Sequence, residues 1–163
     1  MLERIKLTNL QSKVMTAEES AKIFKDGMTV GSSGFTRGGD TKVVLKAVAE
    51  RAKSEKLQIT LVTGASLGHG TDAALVESGA LKKRLPFQVD TVMRKNINAG
   101  NVLFIDQHLS ETAEHILDGQ FKLDLGVLEV TEILEDGSLV PTTSVGNNDI
   151  IAANADKLII EIN

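Results

Sequence analysis

The 163-residue chain contains no cysteine, no tryptophan and no tyrosine. Without cysteine there is no disulfide, no thiolate nucleophile and no cysteine-ligated zinc, and the redox compartment is left open. Without tyrosine there is no phenolic acid/base. Aromatic residues make up only 3%, so the core has to be aliphatic. The formal net charge is −4 and the basic residues do not cluster, so nucleic acid is not an expected partner. No apolar run approaches the ~20 residues that a membrane-spanning helix needs. The N-terminal "MLERIKLTNLQSK" lacks the apolar centre of a secretion signal. The expectation is a soluble cytoplasmic protein with no membrane partner, or a mitochondrial one if a targeting segment was removed. His69, His108 and His115 show no metal-ligand spacing. Asp106-Gln107-His108 brings at most two ligands to one strand end, where a site needs three or four. These residues read as structural or solvent-facing, and no metal is expected.

What is present fits one globular domain. Hydrophobic residues make up 42% and charged residues 25%, an ordinary soluble balance. Thr16-Ala17-Glu18-Glu19 is a capping box, opening a helix that runs to about Lys25. "MTVGSSGF" reads as a strand. A second helix, "KVVLKAVAERAKSEK", is capped by Asp40 or Thr41 and has Val43, Val44, Ala47 and Val48 at helical spacing. "LQITLVT" is the next strand, "TDAALVESG" a short helix and "NVLFID" a strand. "SETAEHILDG" is a helix capped by Ser110. "LDLGVLEV" is a strand, "TEILEDGSLVP" a hairpin turning at Glu135-Asp136-Gly137, and "KLIIEI" the last strand. Alternating strands and helices predict an α/β fold, a largely parallel sheet with helices on both faces. Strands such as "ITLV" and "LIIEI" are continuously apolar, as sheets covered on both sides require. Arg94-Lys95-Asn96-Ile97-Asn98 reads as a solvated helix face, and Glu132, Glu135 and Asp136 as solvated turn residues.

The segment "VTGASLGHG", residues 62–70, joins a strand to a helix through a glycine-rich turn. Its spelling fits the TGxxxGxG pattern of short-chain dehydrogenases. A dinucleotide site, however, wants that turn on the first strand and an acidic residue at the end of the next. Here the turn follows the second strand, and the catalytic tyrosine of such enzymes has no counterpart. A second turn, "SSGFTRGGD", follows the first strand. Ligands in open α/β sheets bind beyond the carboxyl ends of strands. Two glycine-rich turns at two strand ends outline one pocket wall, with the Ser66 hydroxyl as a donor toward a carboxylate or carbonyl oxygen. The alternative is that both are only tight connections.

With both turns placed, a larger pattern emerges. "KVMTAEESAKIFKDGMTVGSSGFTRGGDTK", "LVTGASLG", "RLPFQVDTVMRKNINAG", "FIDQHLS" and "GSLVPTTSVGNN" occur in this order. The chain resembles the acetyl-CoA hydrolase/CoA-transferase family, which includes succinyl-CoA:acetate CoA-transferases. The likeness covers essentially all 163 residues.

The resemblance implies that residues 1–163 are most of an N-terminal α/β domain of a longer two-domain enzyme, lacking its C-terminal domain and expected to form a homo-oligomer. It implies movement of CoA between an acyl-CoA and a small carboxylic acid through a glutamyl-CoA thioester. Coenzyme A is then a substrate, with no permanently bound cofactor. The nucleophilic glutamate lies outside this chain, so no catalytic residue is assigned here and the chain alone is expected to be inactive. Ser66 resembles the family's carboxylate ligand. Gly34, Gly64 and Gly68 shape the wall around it, and Ser144 and Gly146 form a further loop at its edge. Two departures stand out. A hydroxyl residue usually precedes the Asp of the "PYQSD"-like block, and Val89 stands there. The "GFTxxGxPK" turn reads "GFTRGGDTK", with Asp40 and Thr41 in the proline region. An acyl-CoA hydrolase, a subunit completed by a separate chain, and a non-catalytic carboxylate-binding module are the alternatives.

Overall fold

The apolar run "ITLVT" forms strand β2 (Ile59–Thr63) in the computed structural model, which describes residues 2–163. Its side chains divide between two cores. Ile59 and Leu61 join one apolar cluster and Val62 joins another. A strand points successive side chains to opposite faces, so a run buried on both faces must be apolar throughout. The same division holds in β5 (Leu125–Ile133), where Leu125 and Val127 face the first cluster and Leu128 the second.

The remaining strands are β1 (Thr29–Ser32), β3 (Leu81–Leu85), β4 (Leu103–Phe104), β6 (Leu139–Pro141) and β7 (Leu158–Ile162). The sheet runs β4-β3-β2-β1-β5-β6, with β7 also paired to β5. Among pairs of these strands in the described residues, only that of β5 with β6 is antiparallel, and this is the expected hairpin. The terminal apolar strand lies parallel to β5, from Gly126 opposite Leu158 to Glu129 opposite Glu161.

Among the described residues six α-helices cover the sheet: α1 (Ala17–Ala21), α2 (Val44–Ala52), α3 (Thr71–Glu77), α4 (Thr91–Asn98), α5 (Leu109–Leu117) and α6 (Asn148–Asn154). Residues of α1 to α4 contribute Ala21, Leu45, Leu75 and Met93 to the first core. Residues of α5 and α6 contribute Ile116 and Ile151 to the second. This is the α/β fold with both faces covered. Arg51 of α2 fastens α1 by donating to the carbonyls of Ala21 and Phe24 at 2.7 and 2.8 Å.

Several local expectations change. The capping box is present, with Glu19 N–H donating to Thr16 Oγ1 at 3.2 Å and Thr16 N–H to Glu19 Oε2 at 2.8 Å. The helix it opens ends at Ala21, not near Lys25. Neither Asp40 nor Thr41 caps α2. Asp40 is turned toward residues 68–69, and Thr41 Oγ1 bonds Ser32 Oγ at 2.5 Å. The cap comes from β7, where the Glu161 carboxylate accepts the N–H groups of Lys42 at 3.0 Å and Val44 at 2.8 Å, and that of Val43. His108, not Ser110, caps α5, with its Nδ1 accepting the Ser110 N–H at 3.3 Å. β3 and α6 are elements that the sequence pattern did not suggest.

Candidate active site

Strands β1 and β2 are neighbours and end level with one another, Ser32 opposite Thr63. The turns that follow therefore emerge side by side and interlock. Thr36 and Leu67 form an isolated parallel bridge. The Gly68 N–H donates to Asp40 Oδ2 at 3.1 Å, and His69 Nδ1 lies 2.9 Å from the same oxygen. The close fit explains two of the glycines. Gly34 has φ +136°, and a Cβ there would meet Leu67 Cδ2 and Asp40 Cβ at 2.8 Å. A Cβ on Gly68 would meet the Thr36 carbonyl oxygen at 2.7 Å. Only glycine permits this backbone approach.

A buried ion pair lies beneath the "GASLG" turn. Arg84 of β3 and Asp72 of α3 are both shielded from solvent, with Nε to Oδ1 at 3.0 Å. Arg84 also donates to Thr63 Oγ1 at 2.8 Å, to the Ala65 carbonyl at 3.0 Å and to the Leu85 carbonyl. Asp72 Oδ2 accepts the Leu67 N–H at 2.7 Å and Gln88 Nε2 at 3.0 Å. Gln88 Oε1 takes the Asp90 N–H at 2.8 Å, and Asp90 caps α4 through the Met93 N–H at 2.8 Å. Removing one partner of such a pair costs about 3–5 kcal/mol, because the other charge is left buried. The network joins residues 63–67 to residues 84–90.

Ser66 is buried between those two segments. Its Oγ accepts the Val89 N–H at 2.7 Å and lies 3.4 Å from the Phe87 carbonyl. The Val89 side chain is 48% exposed, so the position expected to carry a second hydroxyl presents an apolar surface. Phe35, Phe87 and Val145 are exposed on the same group of loops. The third loop closes on the first. A Cβ on Gly38 would lie 3.6 Å from Ser144 Cβ, and one on Gly39 3.1 Å from the Ser144 carbonyl. The structure thus brings Gly34, Gly64, Ser66 and Gly68 together, with Ser144 reached through Gly38 and Gly39. Gly146, at φ +51°, shapes its own loop, and a Cβ there would come near only Ser144 Oγ, at 3.9 Å.

The histidines separate. His108 is a helix cap, and His115 packs edge-on against Phe121 at 5.5 Å. His69, read as structural or solvent-facing, is paired with Asp40, which is fully buried. Sequence reading missed the Asp40–His69 and Asp72–Arg84 pairs. Its one signal was Asp40 standing where the resembled family has its proline region. Among the described residues, no group of three or more His, Cys, Asp or Glu side chains could hold a metal ion. Arg94 and Lys95 are exposed on α4, as expected.

Glu129 is buried, and its Oε1 accepts Lys42 Nζ at 2.7 Å and the Asn163 side-chain amide. Glu132 pairs with Lys6 at 2.9 Å. A cavity of about 730 Å³ runs along β7, lined by Leu10, Val14, Met15, Val43, Glu129 and Leu158 among others, and none of the candidate residues lines it.

Residues 3–163 match the acetyl-CoA hydrolase/transferase N-terminal domain. The chain is 39% identical to a succinyl-CoA:acetate CoA-transferase of Clostridium kluyveri, over 99% of this chain and 30% of that protein. It is 38% identical to a propanoyl-CoA:succinate CoA transferase of Escherichia coli, over 91% of this chain and 32% of that protein. It is 36% identical to an acetyl-CoA hydrolase of Kluyveromyces lactis, over 99% of this chain and 33% of that protein. The chain therefore spans about a third of these relatives' length. Two crystal structures share the fold. RipA from Yersinia pestis gives a TM-score of 0.71 at 19% identity, over 99% of this chain and 37% of that one. A cysteine-to-serine variant of the decarboxylase AibA/AibB gives 0.72 at 11%, over 91% and 73%. With interlocked turns, an α/β sheet and a match over nearly its whole length, the chain belongs to the acetyl-CoA hydrolase/transferase N-terminal domain family.

Proposed function

We propose that this chain is the N-terminal domain of an enzyme that moves CoA between an acyl-CoA and a small carboxylic acid of the acetate or succinate type. The observation that carries this reading is the pair of interlocked glycine turns beyond β1 and β2, with the Ser66 hydroxyl between them and the 87–89 segment. In an open α/β sheet this end is where ligands sit. Names of relatives support the substrate class: two are CoA-transferases and one an acetyl-CoA hydrolase.

The chemistry passes through a glutamyl-CoA thioester on a glutamate outside this chain. Attack on a thioester develops an oxyanion, which preorganised N–H donors stabilise. The acyl-glutamyl anhydride that precedes the thioester is readily hydrolysed, so a water-excluding pocket protects it. The exposed side chains of Phe35, Phe87 and Val89 supply apolar surface for such a pocket. Ser66 holds the acid substrate, while Gly34, Gly64 and Gly68 let the wall approach it. Neither Glu129 nor Glu132 takes the nucleophile's role, because Lys42 holds the first and Lys6 the second. Hydrolysis of the acyl-CoA is the second reading, favoured by the match to an acetyl-CoA hydrolase.

The test is to incubate the chain with acetyl-CoA and succinate, and to do the same with a version extended by a following domain. The expected result is no turnover by residues 1–163 and, in the extended protein, turnover with a CoA adduct on a glutamate. Robust turnover by residues 1–163 alone would overturn the division of labour.

A further inference from the structure

Asp40 and His69 form a dyad between the two interlocked turns. Asp40 is fully buried, and its Oδ2 faces both the Gly68 N–H and His69 Nδ1. A carboxylate oxygen 2.9 Å from Nδ1 places the imidazole proton on Nδ1 and leaves the Nε2 lone pair free. The His69 side chain is 43% exposed, and Nε2 has no hydrogen-bond partner among the described residues. Two further observations mark the place. Both Thr36 and His69 have left-handed backbone, at φ +58° and +52°. Such strain persists only where surrounding contacts over-determine it, and it gathers at functional sites. Asp40 Oδ1 and Thr142 Oγ1 are buried without partners among the described residues, and both border the Gly39 turn. The other charged groups at hand are Arg37, which packs on Gly68, and Asp72, which is paired with Arg84 beneath Leu67.

We propose that His69, oriented by Asp40, is the general base that lets this enzyme use water as the acceptor, and so sets the balance between hydrolysis and CoA transfer. The proposal rests on the CoA-thioester reading above. In the hydrolytic step, water oxygen bonds to the thioester carbonyl carbon and its proton passes to Nε2. The carbon–sulfur bond then breaks, and the imidazolium returns that proton to the departing CoA sulfur. The products are a carboxylic acid and CoA thiol. A carboxylate acceptor arrives already ionised and needs no base. Loss of His69 therefore falls on the water reaction. Asp40 is a positioning residue, since it acts only through His69.

The experiment compares hydrolysis of acetyl-CoA with CoA transfer to succinate in the enzyme carrying this domain. His69→Asn suits the site, because asparagine tolerates left-handed backbone. General-base catalysis contributes about 10²–10⁴-fold, so the ratio of hydrolysis to transfer is expected to fall by about 100-fold or more. Asp40→Asn should lower hydrolysis relative to transfer, because the imidazole loses the carboxylate that fixes its tautomer. Imidazole nitrogen NMR on residues 1–163 should show the Nδ1-protonated tautomer in the wild type; the opposite tautomer overturns the dyad even if Asp40→Asn fails to fold. An equal fall of hydrolysis and transfer in His69→Asn overturns the proposal, as does a wild type that transfers CoA without hydrolysing it. A wild type with neither activity overturns the function reading and the role of His69 with it.

Discussion

Ser66 Oγ accepts the Val89 backbone N–H at 2.7 Å, tying the "GASLG" turn to the segment that precedes α4. One hydroxyl thus fastens two loops, accepting from Val89 and donating to the Phe87 carbonyl at 3.4 Å, the longer bond being the one that a substrate carboxylate would replace. A hydrogen bond to a charged carboxylate is worth about 1.5–3 kcal/mol. Ser66→Ala in the extended enzyme should therefore weaken use of the acid substrate by about 10- to 150-fold, each 1.4 kcal/mol being tenfold. The Michaelis constant for acyl-CoA should move less. Steady-state kinetics with each substrate varied in turn checks this. Unchanged acid kinetics would make the turn only a connection.

Val89→Thr should act in the opposite direction. The valine side chain is half exposed beside Ser66, so an isosteric threonine adds a hydroxyl without strain. Small carboxylates should be used better, read as a rise in kcat/KM for acetate or succinate.

Nicotinamide cofactors should not bind, and the structure supplies the reason. A diphosphate in a glycine turn needs free backbone N–H groups. Here the Leu67 N–H donates to Asp72 and the Gly68 N–H to Asp40. Two of the turn's N–H groups are thus already taken by carboxylates of the chain itself. Calorimetry with NAD and NADP should show no saturable binding at micromolar concentrations.

Arg84→Met should be among the most destabilising single changes, at about 3–5 kcal/mol, because it strands Asp72 in the interior. The carbonyls of Ala65 and Leu85 also lose a donor. Urea denaturation of the 163-residue chain checks this. A loss below about 1 kcal/mol, the worth of an exposed pair, would mean that the pair is not buried as described.

The two helix caps show what was legible and what was not. The Thr16–Glu19 box lies within one helical turn, so local chemistry writes it into the sequence. The α2 cap joins residues 117 apart, Val44 and Glu161, and a one-dimensional reading takes the nearer Asp40 or Thr41. Strand β3, "LKKRL", hides for a related reason. Its Arg84 is fully buried, but only because Asp72 is there to receive it. α6 is short and begins Asn-Asp, which reads as loop. The parallel sheet was plain because strands buried on both faces need unbroken apolar runs. Ser66 and the glycines were found from local blocks, whereas the Asp40–His69 dyad joins two turns 29 residues apart.

Glu161 gives the last prediction. Its carboxylate accepts the N–H groups of Lys42 and Val43, just before α2, and of Val44, the first residue of α2, which no intrahelical carbonyl can satisfy. It is also the β7 residue opposite Glu129, whose own charge is met by Lys42. Glu161→Gln keeps an acceptor oxygen and loses the charge that complements the helix dipole, a loss of about 0.3–1 kcal/mol. Glu161→Ala removes the acceptor too and should cost about 1–2 kcal/mol, in the range of a lost N-cap. At about 2–4 °C per kcal/mol for a domain of this size, thermal melts should rank wild type above Glu161→Gln and Glu161→Ala last. Added salt should narrow the first gap more than the second, because screening weakens the charge–dipole attraction more than the hydrogen bonds. Equal melting temperatures for all three would mean that water caps α2 as well as β7 does.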